Sequence, residues 1–372
     1  MIVIILLAVL LILFIGVAFY LAGYSMRIPS MTLEQARAWQ EAHYDISWYD
    51  GLQKTDYTVS SDDGYVLHAQ LIQNTIPTNR YVIISHGYTD NRFGTLKYAK
   101  MYLDLGFNVI IYDQRGHGEN EPTFCTYSAR ERKDLLALVE DARARYENMT
   151  ILGLHGESLG AATSVAVLQY KPDVDFVVAD CGFSNIKEVL MGRGSLPSWL
   201  IDIVSLCAKL RYGYGYGEMR PVDCLAENQV PICFIHGAED TFIPPRHSEE
   251  MKAATKGYSE LHIIDGASHA QSVLVNPKEY KKIVELFSLN AKSWGLQVTG
   301  IISAYHDCPR RYTWRFDSCL KTSVFAAFYE DRRITILLRP PEGWRSQIRL
   351  HDLPPRFCID PLFIGRIDPS IL

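Results

Sequence analysis

The chain has 372 residues, 48% of them hydrophobic, and a formal net charge of −5. That is enough apolar material for one large core, and a near-neutral, slightly acidic balance speaks against nucleic acid as a partner. Its 8 cysteines are scattered with no CxxC pair and no His/Cys cluster at zinc spacing. Buried free thiols are expected there rather than a disulfide framework or a metal site.

Residues 2–26 carry no charge and are dominated by Ile, Leu, Val, Phe and Ala. As a helix this run would be about 35 Å long at ~1.5 Å per residue, enough for a hydrocarbon core of ~30 Å. No Lys or Arg precedes it and no A-x-A site closes it, which favours a retained transmembrane anchor over the rival reading, a cleaved signal peptide. Arg27 and Arg37 follow it, so the positive-inside rule leans toward a single-pass protein of the cell membrane with a cytoplasmic body. Residues 27–54 read as a connecting arm with a short amphipathic stretch at Leu33, Ala36 and Trp39.

Strand-like and helix-like segments then alternate. Strands are expected at 65–72, 81–85, 108–112, 150–154, 176–179, 232–235 and 261–264. Helices are expected at 93–105 and 159–170, and where Leu135, Leu138, Val139, Ala142 and Tyr146, then Tyr280, Ile283, Val284 and Phe287, fall on one face. Short continuous apolar strands separated by helices predict a mostly parallel, doubly wound α/β sheet covered on both faces. Ligands of such sheets bind beyond the carboxyl ends of the strands, where His86, Asp113, Ser158, Asp180, Asp240 and His269 all fall. Residues 183–228 break the rhythm with Gly, Pro and Trp and then the run Tyr212-Gly-Tyr-Gly-Tyr-Gly217. They are expected to form a small helical cap over the site, an ordinary long connection being the plainer alternative. The main domain is expected to run from 55 to 290. Residues 291–372 hold 12 Lys+Arg against 8 Asp+Glu and 7 of the 17 prolines, with no recognisable motif. An accessory extension, a poorly ordered tail and a stretch foreign to the gene all remain open for this segment.

Gly156-Glu157-Ser158-Leu159-Gly160 fits G-x-S-x-G. A serine on a sharp strand-to-helix turn points its hydroxyl out of the sheet, and glycines two positions either side relieve the crowding. The expected strand before it and helix after it supply the context the pattern requires. The hydroxyl needs a base, and the base needs an orienting carboxylate. Downstream, strand ends carry Asp240 and then His269, the order this architecture uses. Ser158 is therefore read as nucleophile, His269 as general base and Asp240 as orienting acid, with Glu239 and Asp180 as rival acids. The amides of Leu159, at a helix start, and Tyr88, after the turn at Gly87, are the expected oxyanion donors. His86 is read as structural. No cofactor or metal is called for.

The segments HGYTDNR (86–92), YDQRGHGEN (112–120), LHGESLG (154–160), IHGAEDTFIP (235–244) and GASH (266–269) together resemble the α/β-hydrolase superfamily. Residues 55–290 look most like bacterial membrane-anchored hydrolases with a serine aminopeptidase-like or esterase/lipase-like core. That resemblance implies attack by Ser158 and an oxyanion hole of the Tyr88 and Leu159 amides. It implies structural roles for Asp113, Arg115 and His117. Glu157 and Asn120 depart from the residues many members carry, without removing a catalytic group. The expected activity is cleavage of an ester, thioester or amide, probing toward a small, lipophilic acyl substrate. A membrane-tethered binding module without catalysis is the alternative.

Overall fold

A computed structural model of the chain describes residues 1–194 and 197–295, and three strands further on (324–330, 333–339 and 346–350). The chain divides into two compact units, Met1–Leu296 and Gln297–Leu372.

The first unit opens with three helices, α1 (Ile2–Ser25), α2 (Leu33–His43) and α3 (Ser47–Asp50). A capping box starts α2: the Gln35 amide donates to the Thr32 hydroxyl at 3.2 Å, and the Thr32 amide donates to the Gln35 side chain at 3.0 Å. Then come β1 (Lys54–Ser60), β2 (Val66–Ile72), β3 (Arg80–Ser85), α4 (Leu96–Asp104), β4 (Asn108–Tyr112), α5 (Glu131–Arg145), β5 (Ile151–Glu157), α6 (Leu159–Ala166) and β6 (Phe176–Asp180). The unit finishes with α7 (Ile186–Gly194), α8 (Ser198–Tyr212), β7 (Ile232–Gly237), α9 (Arg246–Ala254), β8 (Ser259–Ile264), α10 (Ser272–Val275) and α11 (Pro277–Gly295).

The eight strands form one sheet in the order β1-β2-β4-β3-β5-β6-β7-β8. From β4 to β8 every pairing is parallel; β1–β2 and β2–β4 are antiparallel. The buried strands send alternate residues to opposite faces, as a period of two demands. Val82, Ile84, Val109, Ile111, Phe176 and Val178 join one core with α4 and α11, while Ile83, Ile110, Val177 and Phe234 join the other with α5, α6 and α9. This is the α/β-hydrolase fold, a mostly parallel sheet wound on both sides.

Between β6 and β7, α7 and α8 build the small cap. Its core joins Ile186, Val189, Ile201, Val204 and Ala208 to Leu159 and Ala162 of α6. The same core takes in Ala18 and Ala22 of α1 and Met26 just after it; α1 is exposed up to Leu13, and Phe14, Phe19, Leu21, Gly23 and Ser25 are half-buried. Among the described residues α1 is the one helix long and apolar enough to cross a membrane, a test that a signal sequence also passes.

Several elements differ from the sequence reading for identifiable reasons. β1 has no counterpart in it: Lys54, Thr55, Asp56, Thr58 and Ser60 are polar, and only Val59 of this edge strand is buried. The helix expected at 93–105 opens as a 3-10 turn, Arg92–Thr95, and the one at 159–170 tightens to 3-10 over Val167–Tyr170 before Lys171 turns left-handed at φ +53°. Cys125, Cys181, Cys207, Cys224 and Cys233 are free and buried.

In the second unit, β9 (Val324–Glu330), β10 (Arg333–Arg339) and β11 (Ser346–Leu350) form an antiparallel sheet in the order β11-β10-β9. The rest of that segment, with Cys308, Cys319 and Cys358, lies outside the described residues.

Candidate active site

β5 ends at Glu157 and α6 begins at Leu159, so the whole change of direction falls on Ser158, at φ +53° and ψ −111°. A non-glycine residue there stores roughly 1–3 kcal/mol of strain. The turn is held on both sides: the Ser158 amide donates to the Asp180 carbonyl at 2.8 Å, and the Ala162 amide to the Ser158 carbonyl at 3.0 Å. The motif glycines are required by close backbone approach. A Cβ at position 156 would strike the backbone of Gly160, and one at position 160 would strike the carbonyls of Ser85 and His86.

The ends of β7 and β8 bring the other two expected groups to this turn. His269 Nε2 stands 3.0 Å from Ser158 Oγ, and His269 Nδ1 stands 2.7 Å from Asp240 Oδ2. The other oxygen of Asp240 accepts the amides of Phe242 at 2.9 Å and Ile243 at 2.8 Å. Behind it, His236 Nε2 lies 3.2 Å from Asp240 Oδ2 and 2.7 Å from the Ile243 carbonyl. Asp240 is only 3% exposed. Burial alone would raise its pKa, but hydrogen bonds from His236 and His269 hold the carboxyl below the ordinary carboxylate range. An ionised carboxylate there fixes the proton of His269 on Nδ1, leaving Nε2 to accept from the serine hydroxyl. Of the rival acids, Glu239 is exposed, and Asp180 is committed elsewhere.

The turn after β3 adjoins the same spot: a Cβ at Gly87 would begin 3.7 Å from Ser158 Cβ. His86 pins this turn. Its Nδ1–H donates to the Gly87 carbonyl at 2.7 Å, and its Nε2 accepts the Gln114 amide at 2.8 Å. Burial pushes its pKa down to about 4, as a neutral structural ring requires. Leu159 lies in the first turn of α6, so its amide has no partner within the helix. The segment after β4 is a scaffold. Asp113 accepts the Arg92 and Glu119 amides at 2.8 and 3.1 Å, and Arg115 Nε donates to Asp134 at 2.8 Å. Asn120 Oδ1 accepts the His68 amide at 2.8 Å.

A buried polar network behind the turn escaped the sequence reading. Lys97 of α4 makes an ion pair with Glu157, the residue before the serine. The Tyr98 hydroxyl lies 2.6 Å from Glu157 Oε2 and 3.1 Å from Asp180 Oδ2, which also accepts from Tyr280 at 3.0 Å. Burial first, and the Glu157 charge second, push the Asp180 carboxyl up to about 6. Asp180 Oδ1 has no hydrogen-bond partner among the described residues. The only signal was an acidic side chain inside the G-x-S-x-G motif; nothing in the spacing of Lys97 or Tyr280 points to it.

Two side-chain triplets among the described residues are close enough to hold a metal, Cys233 with Glu260 and His262, and Glu188 with His247 and Glu250. Neither contains a member of the Ser158 group, and Arg246 already faces both glutamates of the second.

The family model described as serine aminopeptidase, S33, matches residues 77–212. The uncharacterized protein YqkD of Bacillus subtilis is 33% identical over 258 residues, 68% of this chain and 84% of that one. The uncharacterized membrane protein YNL320W of Saccharomyces cerevisiae is 22% identical over 210 residues, 56% of this chain and 70% of that one. Among solved structures, the esterase Pf2001 of Pyrococcus furiosus superposes with a TM-score of 0.54 at 25% identity, covering 66% of this chain and 94% of the esterase.

Proposed function

From the premise that this chain belongs to the α/β-hydrolase superfamily and is a hydrolase, we propose that it cleaves an ester, thioester or amide through an acyl-enzyme on Ser158, most readily as a carboxylesterase or lipase. The observation that carries this reading is the unbroken line Ser158 Oγ, His269, Asp240, with steps of 3.0 and 2.7 Å. In the first half-reaction His269 Nε2 takes the serine proton as Oγ attacks the acyl carbon. The amides of Leu159 and Tyr88 receive the developing oxyanion, and the imidazolium returns its proton to the leaving group. Water then attacks the acyl-serine by the same proton route. Every group is supplied by the chain, so the reaction needs no cofactor.

A small, lipophilic acyl substrate is favoured by the Tyr and Trp residues of the cap segment together with the apolar helix α1. The esterase activity named for the Pyrococcus furiosus neighbour and the aminopeptidase description of the family model support ester and amide cleavage respectively. We place the protein in the cell membrane through α1 as a retained single-pass anchor, with the catalytic domain on the cytoplasmic side.

The test is fluorophosphonate labelling of the full-length protein in detergent, with turnover of p-nitrophenyl esters and amide analogues. Wild type should label and turn over esters, and Ser158→Ala should do neither. Labelling that persists in Ser158→Ala would falsify the assignment. Intact protein that binds a partner but takes up no probe would favour a non-catalytic tethered module.

A further inference from the structure

We propose that cap helix α8 is a second membrane-contacting element, its outward face seated among lipid acyl chains beside α1. The inference rests on α1 being a membrane helix, and adds to it a surface that α1 alone does not require.

Two independent observations carry it. The first is depth. α1 is docked to the cap along its C-terminal half: the Phe14 ring stacks on Trp199 with centroids 6.3 Å apart, and Ala18, Ala22 and Met26 enter the cap core. At Gly23 a Cβ would lie 2.9 Å from Arg211 Nη1, and Ser25 Oγ lies 2.5 Å from the Tyr216 hydroxyl. The two helices therefore run side by side, Trp199 level with Phe14 and Arg211 level with Gly23. The part of α1 before Phe14 is about 18 Å long at ~1.5 Å per residue, well short of a ~30 Å hydrocarbon core. A bilayer that α1 crosses must extend past Phe14, and it then reaches the N-terminal half of α8.

The second is the pattern on α8. Ile201, Val204 and Ala208 face the cap core. Trp199, Leu206 and Leu210 are 59%, 57% and 70% exposed and, with Ile203, recur at helical spacing as a separate outward stripe. A helix of a water-soluble cap has no use for a second apolar face of this length. Ser198, Asp202 and Lys209 fall on a third flank, where Asp202 pairs with Lys187 and Lys209 with Glu218 at 2.6 Å. Lipid is the occupant that fits, because the stripe is continuous through Trp199 with the exposed apolar surface of α1.

The experiment uses full-length protein reconstituted into phosphatidylcholine/phosphatidylglycerol vesicles, with or without bromine on the acyl chains. Bromine quenches tryptophan fluorescence only at contact range. Flotation reports α1, fluorophosphonate labelling reports the serine site, and quenching reports α8. Wild type should float, label and be quenched. Trp199→Phe keeps an aromatic ring against Phe14; it should float and label equally but lose at least half of the quenching. Equal quenching in the two proteins would overturn the proposal while leaving the anchor and the hydrolase intact. Failure to float would remove the anchor and the proposal together, whatever the labelling shows.

Discussion

Replacing Lys97 with Met should be among the most destabilising single changes in the chain. The Lys97 and Glu157 side chains are 5% and 9% exposed, so their ion pair is nearly cut off from water. Lys97 is also the cation that opposes the negative charge of Asp90 and Asp180. Its removal leaves Glu157 with the Tyr98 hydroxyl at 2.6 Å and no positive charge to balance it. Breaking a buried pair from one side typically costs 3–5 kcal/mol. The deficit should therefore be about 4 kcal/mol at pH 7. Lys97→Met/Glu157→Gln removes both charges and should recover most of the loss. The assay is urea unfolding of full-length protein in detergent, followed by tryptophan fluorescence, with comparison of midpoints at equal slope. A single variant within 1 kcal/mol of wild type at pH 7, or a double variant no better than the single, would refute the reasoning.

Asp240→Asn should lower kcat by about 10³–10⁴ with little change in KM, because the amide cannot hold His269 in the productive tautomer. Asp180→Asn should stay within about tenfold of wild type in kcat/KM, so steady-state kinetics on one p-nitrophenyl ester separates the two carboxylates. The Asp180 carboxyl is pushed up to about 6 from an ordinary 3.8, so the stability it contributes is full below 3.8 and is lost as pH rises through about 6. Relative to wild type, Asp180→Asn should gain up to about 3 kcal/mol between pH 4 and 7 in urea titrations; a flat difference would contradict it. Gly160→Ala places a methyl against the carbonyls of Ser85 and His86 and should lose about 1–3 kcal/mol in midpoint together with fluorophosphonate labelling.

Much of this site was legible because its chemistry is written in short segments. The glycines at 156 and 160 announce a crowded turn, and the backbones of Gly160, Ser85 and His86 are the crowd. Asp240 was legible because it follows the apolar, buried run 232–235 of β7, and His269 because it follows the short, largely apolar run 261–264 of edge strand β8; strand ends in a parallel sheet converge. β1 was not, because five of its seven residues are polar, which leaves too little apolar signal to tell this edge strand from a loop. The Lys97, Glu157, Asp180 and Tyr280 network was hidden for another reason: its members come from two helices and two strands, and only the register of the sheet, with Glu157 opposite Asp180, assembles them. The role of His236 was masked in the same way, since its ring reads as an ordinary buried strand residue until the loop carrying Ile243 folds back over it.

The docking of α1 changes how a soluble form of this protein should be made. The Ser25 carbonyl accepts from the Tyr127 hydroxyl, and the Met26 carbonyl accepts the Cys125 amide at 2.9 Å. Trimming the chain after residue 26 would thus strip two acceptors from the 125–127 loop and bare the sockets left by Ala18, Ala22 and Met26. The apolar N-terminal helix works as a strut for the 125–127 loop and the cap. Expression trials should replace its outward residues with polar ones and leave its inward seam untouched.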